Sequence, residues 1–106
     1  MENLNFGQAL EAVKKGKLIS REGWNGKGMF VFLNGTTDCF FQEGNNNDEH
    51  IMDIPVNVMN KLRTDTKGCI VSLSPFLSLK AADNTIVRGW LASQSDMLAN
   101  DWCILD

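Results

Sequence analysis

The chain has 106 residues, 10 Lys+Arg against 13 Asp+Glu for a net charge of −3, and a composition that is 43% hydrophobic and 22% charged. That length suits one domain with its own core, and the composition argues against disorder or a fibrous repeat. The acidic balance argues against a duplex-coating nucleic-acid binder, and the longest apolar run, Met29 to Leu33, falls far short of the roughly 20 residues of a membrane span.

The first predicted element is a helix. Phe6, Ala9, Leu10 and Val13 follow the i, i+3, i+4, i+7 spacing that gathers apolar side chains on one helical face. Asn5 and Gln8 have the spacing of a capping box, and Lys14, Lys15 and Gly16 suit the carboxyl end. A short strand follows over 18–21, then a glycine-rich segment, Glu22-Gly23-Trp24-Asn25-Gly26-Lys27-Gly28. Met29 to Leu33 reads as a strand apolar on both faces, with Phe30 and Phe32 on one side and Met29, Val31 and Leu33 on the other. Such a strand is covered on both sides, by its own fold or by a second subunit. Asn34-Gly35 is a two-residue hairpin signal, which makes 36–41 the returning strand.

Beyond the polar loop 42–50, Pro55 can open a helix that turns Val58, Met59 and Leu62 inward and Lys61 and Arg63 outward. Strands are expected over 69–73 and 76–80, separated by Ser74-Pro75, and over 85–88 after a turn at Asp83-Asn84. Ser93 and Asp96 have capping-box spacing for a short helix over 94–99, and 101–105 closes the chain as a strand with Trp102 and Ile104 in the core. Helices and antiparallel strands mix without a regular βαβ rhythm, so the expected class is α+β.

Few residues suggest covalent chemistry. Cys39, Cys69 and Cys103 are odd in number and far apart, with His50 alone to join them, so no metal site is expected. They fit small, half-buried hydrophobes in a reducing compartment, and the opening residues lack the pattern of a secretory signal, so a soluble intracellular protein is expected. One histidine in a polar loop leaves no credible nucleophile–base pair. Gly26-Lys27-Gly28 fails both phosphate-loop fingerprints, because Arg21 and Val31 stand where glycines are required. The segment is either a turn between strands or a backbone cradle for an anion. Trp24 and Trp90, each beside a glycine, either plug the core or offer a flat face to a base.

Two blocks are more specific. One runs Asn5-Phe6-Gly7-Gln8-Ala9-Leu10, Lys14-Lys15-Gly16-Lys17 and Arg21-Glu22-Gly23-Trp24-Asn25-Gly26-Lys27-Gly28-Met29; the other is Gly89-Trp90-Leu91-Ala92-Ser93-Gln94-Ser95-Asp96-Met97-Leu98-Ala99-Asn100-Asp101-Trp102. Together they resemble the Thoeris anti-defence 2 family, small proteins carried mostly by bacteriophages and prophages. The resemblance covers about the first thirty residues and roughly the last twenty-five, leaving 35–78 as a variable middle.

It implies a single domain over 1–106 that assembles as a homo-oligomer, dimer or tetramer, with ligand pockets where subunits meet. The implied function is a sponge: binding of the cyclic ADP-ribose isomer (glycocyclic ADP-ribose) that signals in bacterial Thoeris immunity, without degrading it. Cyclic oligonucleotides of the CBASS type are compatible second ligands. The implied setting is the cytoplasm of the infected host, with no catalytic residue, cofactor, metal, DNA duplex or membrane involved. On that ligand, Trp24 and Trp90 would sandwich or wall the base, with Met29 and Phe30 on the apolar side. Asn25, Ser93, Gln94 and Asp96 would meet base edges and ribose hydroxyls, beside Leu91 and Ala92. The amides of Gly26 and Gly28 would face the phosphates, and Arg21, Lys27 and Arg88 are the cations at hand, Arg88 standing just outside the second block. Two other readings stay open: an enzyme that degrades the same messenger, and a module that binds a defence protein through the two-faced strand.

Overall fold

The fold is that of a computed structural model, which describes residues 2–24, 28–40, 54–65 and 70–105. In chain order the elements are α1 (Phe6–Lys14), β1 (Leu18–Arg21), a 3-10 turn (Glu22–Trp24), β2 (Phe30–Asn34), β3 (Thr37–Phe40), α2 (Val56–Asp65), β4 (Ile70–Leu73), β5 (Phe76–Lys80), β6 (Ile86–Arg88), α3 (Gln94–Leu98) and β7 (Trp102–Leu105). The class is α+β, as expected. The chain divides into two compact units, Met1–Gly35 with Pro75–Asp106, and Thr36–Ser74.

In the first unit five antiparallel strands lie in the order β6-β5-β2-β1-β7. The register sets Ile19 opposite both Val31 and Ile104, and Val31 opposite Leu79, so these side chains share one face. Helix α1 covers that face with Ala9, Ala12 and Val13, and the cluster closes over Leu4 and Trp102. The helix begins where the sequence places it: Asn5 Oδ1 accepts from the Gln8 N–H at 2.8 Å, and Gln8 Oε1 accepts from the Asn5 N–H at 2.9 Å. It ends at Gly16, which takes the left-handed φ of +90° that terminates a helix at low cost. The Asp83-Asn84 turn joins β5 to β6, with Asn84 at φ +70° and the Ala81 N–H donating to Thr85 O at 2.8 Å. Ser93 and Asp96 form the expected capping box on α3.

The hairpin expected after β2 does not form. Asn34-Gly35 is not a hairpin turn, because β2 pairs with β1 and β5 rather than with β3. Neither residue adopts the positive φ that such a turn demands. Asn34 instead continues the strand opposite Phe76, and its Oδ1 accepts from the buried Ser78 hydroxyl. Strands β2 and β5 thus form the two arms of a hairpin into whose loop residues 36–74 are inserted.

In the inserted unit β3 pairs with β4 in a two-stranded sheet, from Thr37 opposite Leu73 to Phe40 opposite Ile70. Helix α2 contributes Met59, fully buried among Ile54, Leu62, Val71 and Leu73. Val58, expected to turn inward, is 41% exposed because it lies off the face centred on Met59. Lys61 is exposed, as expected; the side chains of Arg63 and Cys39, with His50 and Cys69, lie outside the described residues. No described helix is long and apolar enough to cross a membrane.

Because the five-stranded sheet keeps its own core, joining Asn34 to Phe76 through a two-residue Asn-Gly turn should leave a cooperatively folding protein. Near-ultraviolet circular dichroism through a thermal melt checks this; a shortened chain without a tryptophan signal or a cooperative transition would contradict the insertion.

Candidate functional site

Trp102 has no exposed surface. Its ring lies 5.5 Å from that of Phe6, 5.4 Å from Trp24 and 6.4 Å from Trp90, and its indole N–H donates to Asp96 O at 2.9 Å. Trp24 and Trp90, both half-buried, meet edge to face at 6.4 Å with 83° between their planes. Within one chain they therefore leave no parallel slot for a base, and the sandwich arrangement is excluded there. Both rings pack on the core and retain exposed surface.

Arg21 leaves β1 on the same side of the sheet as Trp102, its register partner. Its Nε donates to Asp101 Oδ1 at 2.9 Å and its Nη1 to Asp96 Oδ1 at 2.8 Å. The other Asp101 oxygen accepts from the Gly23 N–H at 2.8 Å, while Asp101 O accepts from the Glu22 N–H at 3.0 Å. The 3-10 turn that carries Trp24 thus hangs from one residue. A side chain at position 23 would have its Cβ 2.9 Å from Asp101 Oδ2 and 3.3 Å from Arg21 Nη2, which accounts for glycine there.

These contacts set the charge states. Hydrogen bonds to Asp101 and then Asp96 raise the Arg21 pKa further. Burial pushes the Asp96 carboxyl up, but hydrogen bonds from Arg21 and Ser93 outweigh it and leave it below its usual 3.8. The Arg21 hydrogen bond likewise lowers Asp101, opposed by burial and aided by the Gly23 amide.

Beside this cluster opens a pocket of about 380 Å³, within the range of small-molecule sites. Trp24, Met29 and Leu105 give it apolar wall, Gly28 brings bare backbone to it, and Glu2, Glu22 and Asp101 supply carboxylates. Asn3, Ser20, Arg21 and Cys103 complete the lining. Burial pushes the Cys103 thiol up, helped by the charge of Glu2, so it stays protonated at neutral pH and is a poor nucleophile. The Ser20 hydroxyl donates to Met29 O at 2.8 Å.

Of the candidate residues, the pocket brings together Arg21, Trp24, Gly28 and Met29. Phe30 shares the sheet face of Ser20 and Cys103, away from α1, but does not line the pocket; its ring lies 6.1 Å from that of Phe32. Arg88 is exposed on that same face, opposite Ser78. Trp90, Leu91, Ala92, Ser93, Gln94 and Asp96 do not line the pocket: Ser93 and Asp96 are committed to the α3 cap, and Leu91 is 88% exposed. Asn25, Gly26 and Lys27 lie outside the described residues. Sequence reading missed Asp101, Glu2 and Glu22 as pocket groups, and Lys80, whose Nζ is 3.6 Å from where a Gly28 Cβ would stand. The Lys80 position follows from its pairing opposite Phe30, which no local motif encodes.

A family model described as Tad2-like, the Thoeris anti-defense 2-like domain, matches residues 4–105. The chain belongs to this family. It is 35% identical over 102 residues to the protein named Thoeris anti-defense 2 of Bacillus phage SP01, a match covering 96% of this chain and 94% of that one. The family match therefore extends through the inserted unit, beyond the two blocks that first suggested it.

For this Tad2-like chain the ion cluster makes a signed prediction. Both carboxylates titrate below 3.8, so their contribution is fully present above about pH 4 and is lost as pH falls through the lowered values. Arg21→Met strands the buried Asp96, at a cost of about 3 kcal/mol near neutrality. Without Arg21 the Asp96 carboxyl rises from its wild-type position, held back by the Ser93 hydrogen bonds, so the deficit of the variant should shrink as pH falls through that raised value. Denaturant melts from about pH 7 to pH 3 check this convergence; parallel curves would contradict it.

Proposed function

We propose that the chain is a phage anti-defence protein that binds and sequesters the cyclic ADP-ribose isomer of Thoeris signalling and releases it unchanged. The observation that carries this reading is the match to the Thoeris anti-defense 2-like domain over residues 4–105. The pocket supports it. Such a ligand offers a purine face, ribose hydroxyls and an exocyclic amine; Trp24 and Met29 suit the first, and the Glu2 and Glu22 carboxylates accept from the others.

The pyrophosphate needs cations from elsewhere, since Arg21 is already shared between two carboxylates. Lys80 near Gly28, Lys27 in the glycine-rich segment and a second copy of the chain are the sources this proposal assigns. A homotetramer with pockets completed by neighbouring subunits, working in the host cytoplasm, belongs to the same reading. Cyclic oligonucleotides of the CBASS type would be secondary ligands.

Trp24→Leu keeps apolar bulk in the core while removing the π face, a loss of about 1–3 kcal/mol per stacked base. Equilibrium dialysis against the cyclic ADP-ribose isomer should show about a 5- to 150-fold rise in Kd with the melting transition still cooperative. Unchanged affinity would remove Trp24 from the site, and recovery of a chemically altered nucleotide would replace sequestration by degradation.

A further inference from the structure

We propose that Arg21 and Asp101 are positioning residues that hold Trp24 as the rigid wall of the pocket, rather than groups that bind ligand phosphate. The inference rests on the sequestering role proposed above for its binding consequence, but its geometric part stands without that role.

Three segments distant in sequence converge on one guanidinium. Arg21 ends β1, Asp96 lies in the first turn of α3 and Asp101 precedes β7, and Arg21 joins the latter two at 2.8 and 2.9 Å. Asp101 then takes both available amides of the 3-10 turn, Glu22 N–H on its carbonyl and Gly23 N–H on its carboxylate. Nothing else among the described hydrogen bonds ties that turn down. Trp24 is the last residue of the turn, and its ring is set against Trp102 and Trp90. Asp96 closes the circuit from the other side, because its carbonyl accepts from the buried Trp102 indole.

Charge argues the same way. One guanidinium faces two carboxylates, so an approaching phosphate meets a cluster that is net negative, with Glu2 and Glu22 beside it. A bidentate phosphate grip needs a free guanidinium edge, and here Nε and Nη1 are both engaged. Fixing the wall before ligand arrives lowers the ordering cost on binding and slows release.

The test compares Arg21→Gln, Arg21→Lys and Val13→Ala, the last a buried α1 residue outside the pocket that lowers stability without touching the cluster. All are made in a Trp90→Phe background, so that acrylamide quenching reports Trp24 while Trp102 stays buried. Release of the cyclic ADP-ribose isomer is timed in parallel on the same three substitutions with Trp90 intact, at a temperature where every variant is folded. Arg21→Gln should raise quenching and speed release about tenfold, Arg21→Lys should restore part of both, and Val13→Ala should change neither. Background-level quenching and release in Arg21→Gln would overturn the proposal, as would equal effects from Val13→Ala. Should Arg21→Gln fail to fold, Asp101→Asn replaces it with the same two readouts and outcomes. If the wild-type protein retains no nucleotide, the sequestering role fails, and the quenching comparison still decides the positioning role.

Discussion

Burying a tryptophan obliges the chain to find an acceptor for its indole N–H, since an unsatisfied buried donor costs about 1–3 kcal/mol. Trp102 meets that obligation with the carbonyl of Asp96, and the choice fixes much else. It seats the start of α3 over the sheet, and the Asp96 carboxylate is then aimed at Arg21. On its backbone side Trp102 exchanges both hydrogen bonds with Leu4, at 2.9 and 3.1 Å, so the amino-terminal segment guards that edge of β7. Its ring receives Phe6 from α1, Trp24 from the 3-10 turn and Trp90 from the stretch after β6. The two sequence blocks that carry the family resemblance are thus one physical object, packed on a single side chain.

That arrangement bears directly on retention of a small ligand. A protein that inhibits by holding a signal gains from a site formed in advance, because loops ordered on binding subtract from affinity. The pocket wall at Trp24 is backed by a fully buried ring and suspended from a carboxylate that is itself clamped by an arginine. The lining combines the carboxylate acceptors of Glu2, Glu22 and Asp101 with one aromatic residue, Trp24. It suits the base and sugar of a nucleotide more than its phosphates.

Much of this was legible in the sequence because it is local. The capping boxes at Asn5–Gln8 and Ser93–Asp96, the left-handed Gly16 and the Asp83-Asn84 turn are each specified within a few residues, and all four form as read. Asn34-Gly35 misled for the opposite reason. Its local preference is a tight turn, but pairing of Asn34 with Phe76 across an inserted unit overrides it. The ion pairs of Arg21 could not be read from its neighbours, because its partners lie 75 and 80 residues away. The angle between Trp24 and Trp90 is set by their packing on Trp102 and could not be read from their glycine neighbours. Lys80 was invisible until strand register placed it beside Gly28.

The most direct measurement is to incubate the purified protein with lysate rich in the Thoeris signal, remove free small molecules, heat-denature the protein and identify what is released. The account predicts intact cyclic ADP-ribose isomer in the released fraction. A signal that disappears with nothing intact released would contradict it in favour of an enzyme, and a signal left free and unaltered would contradict it outright.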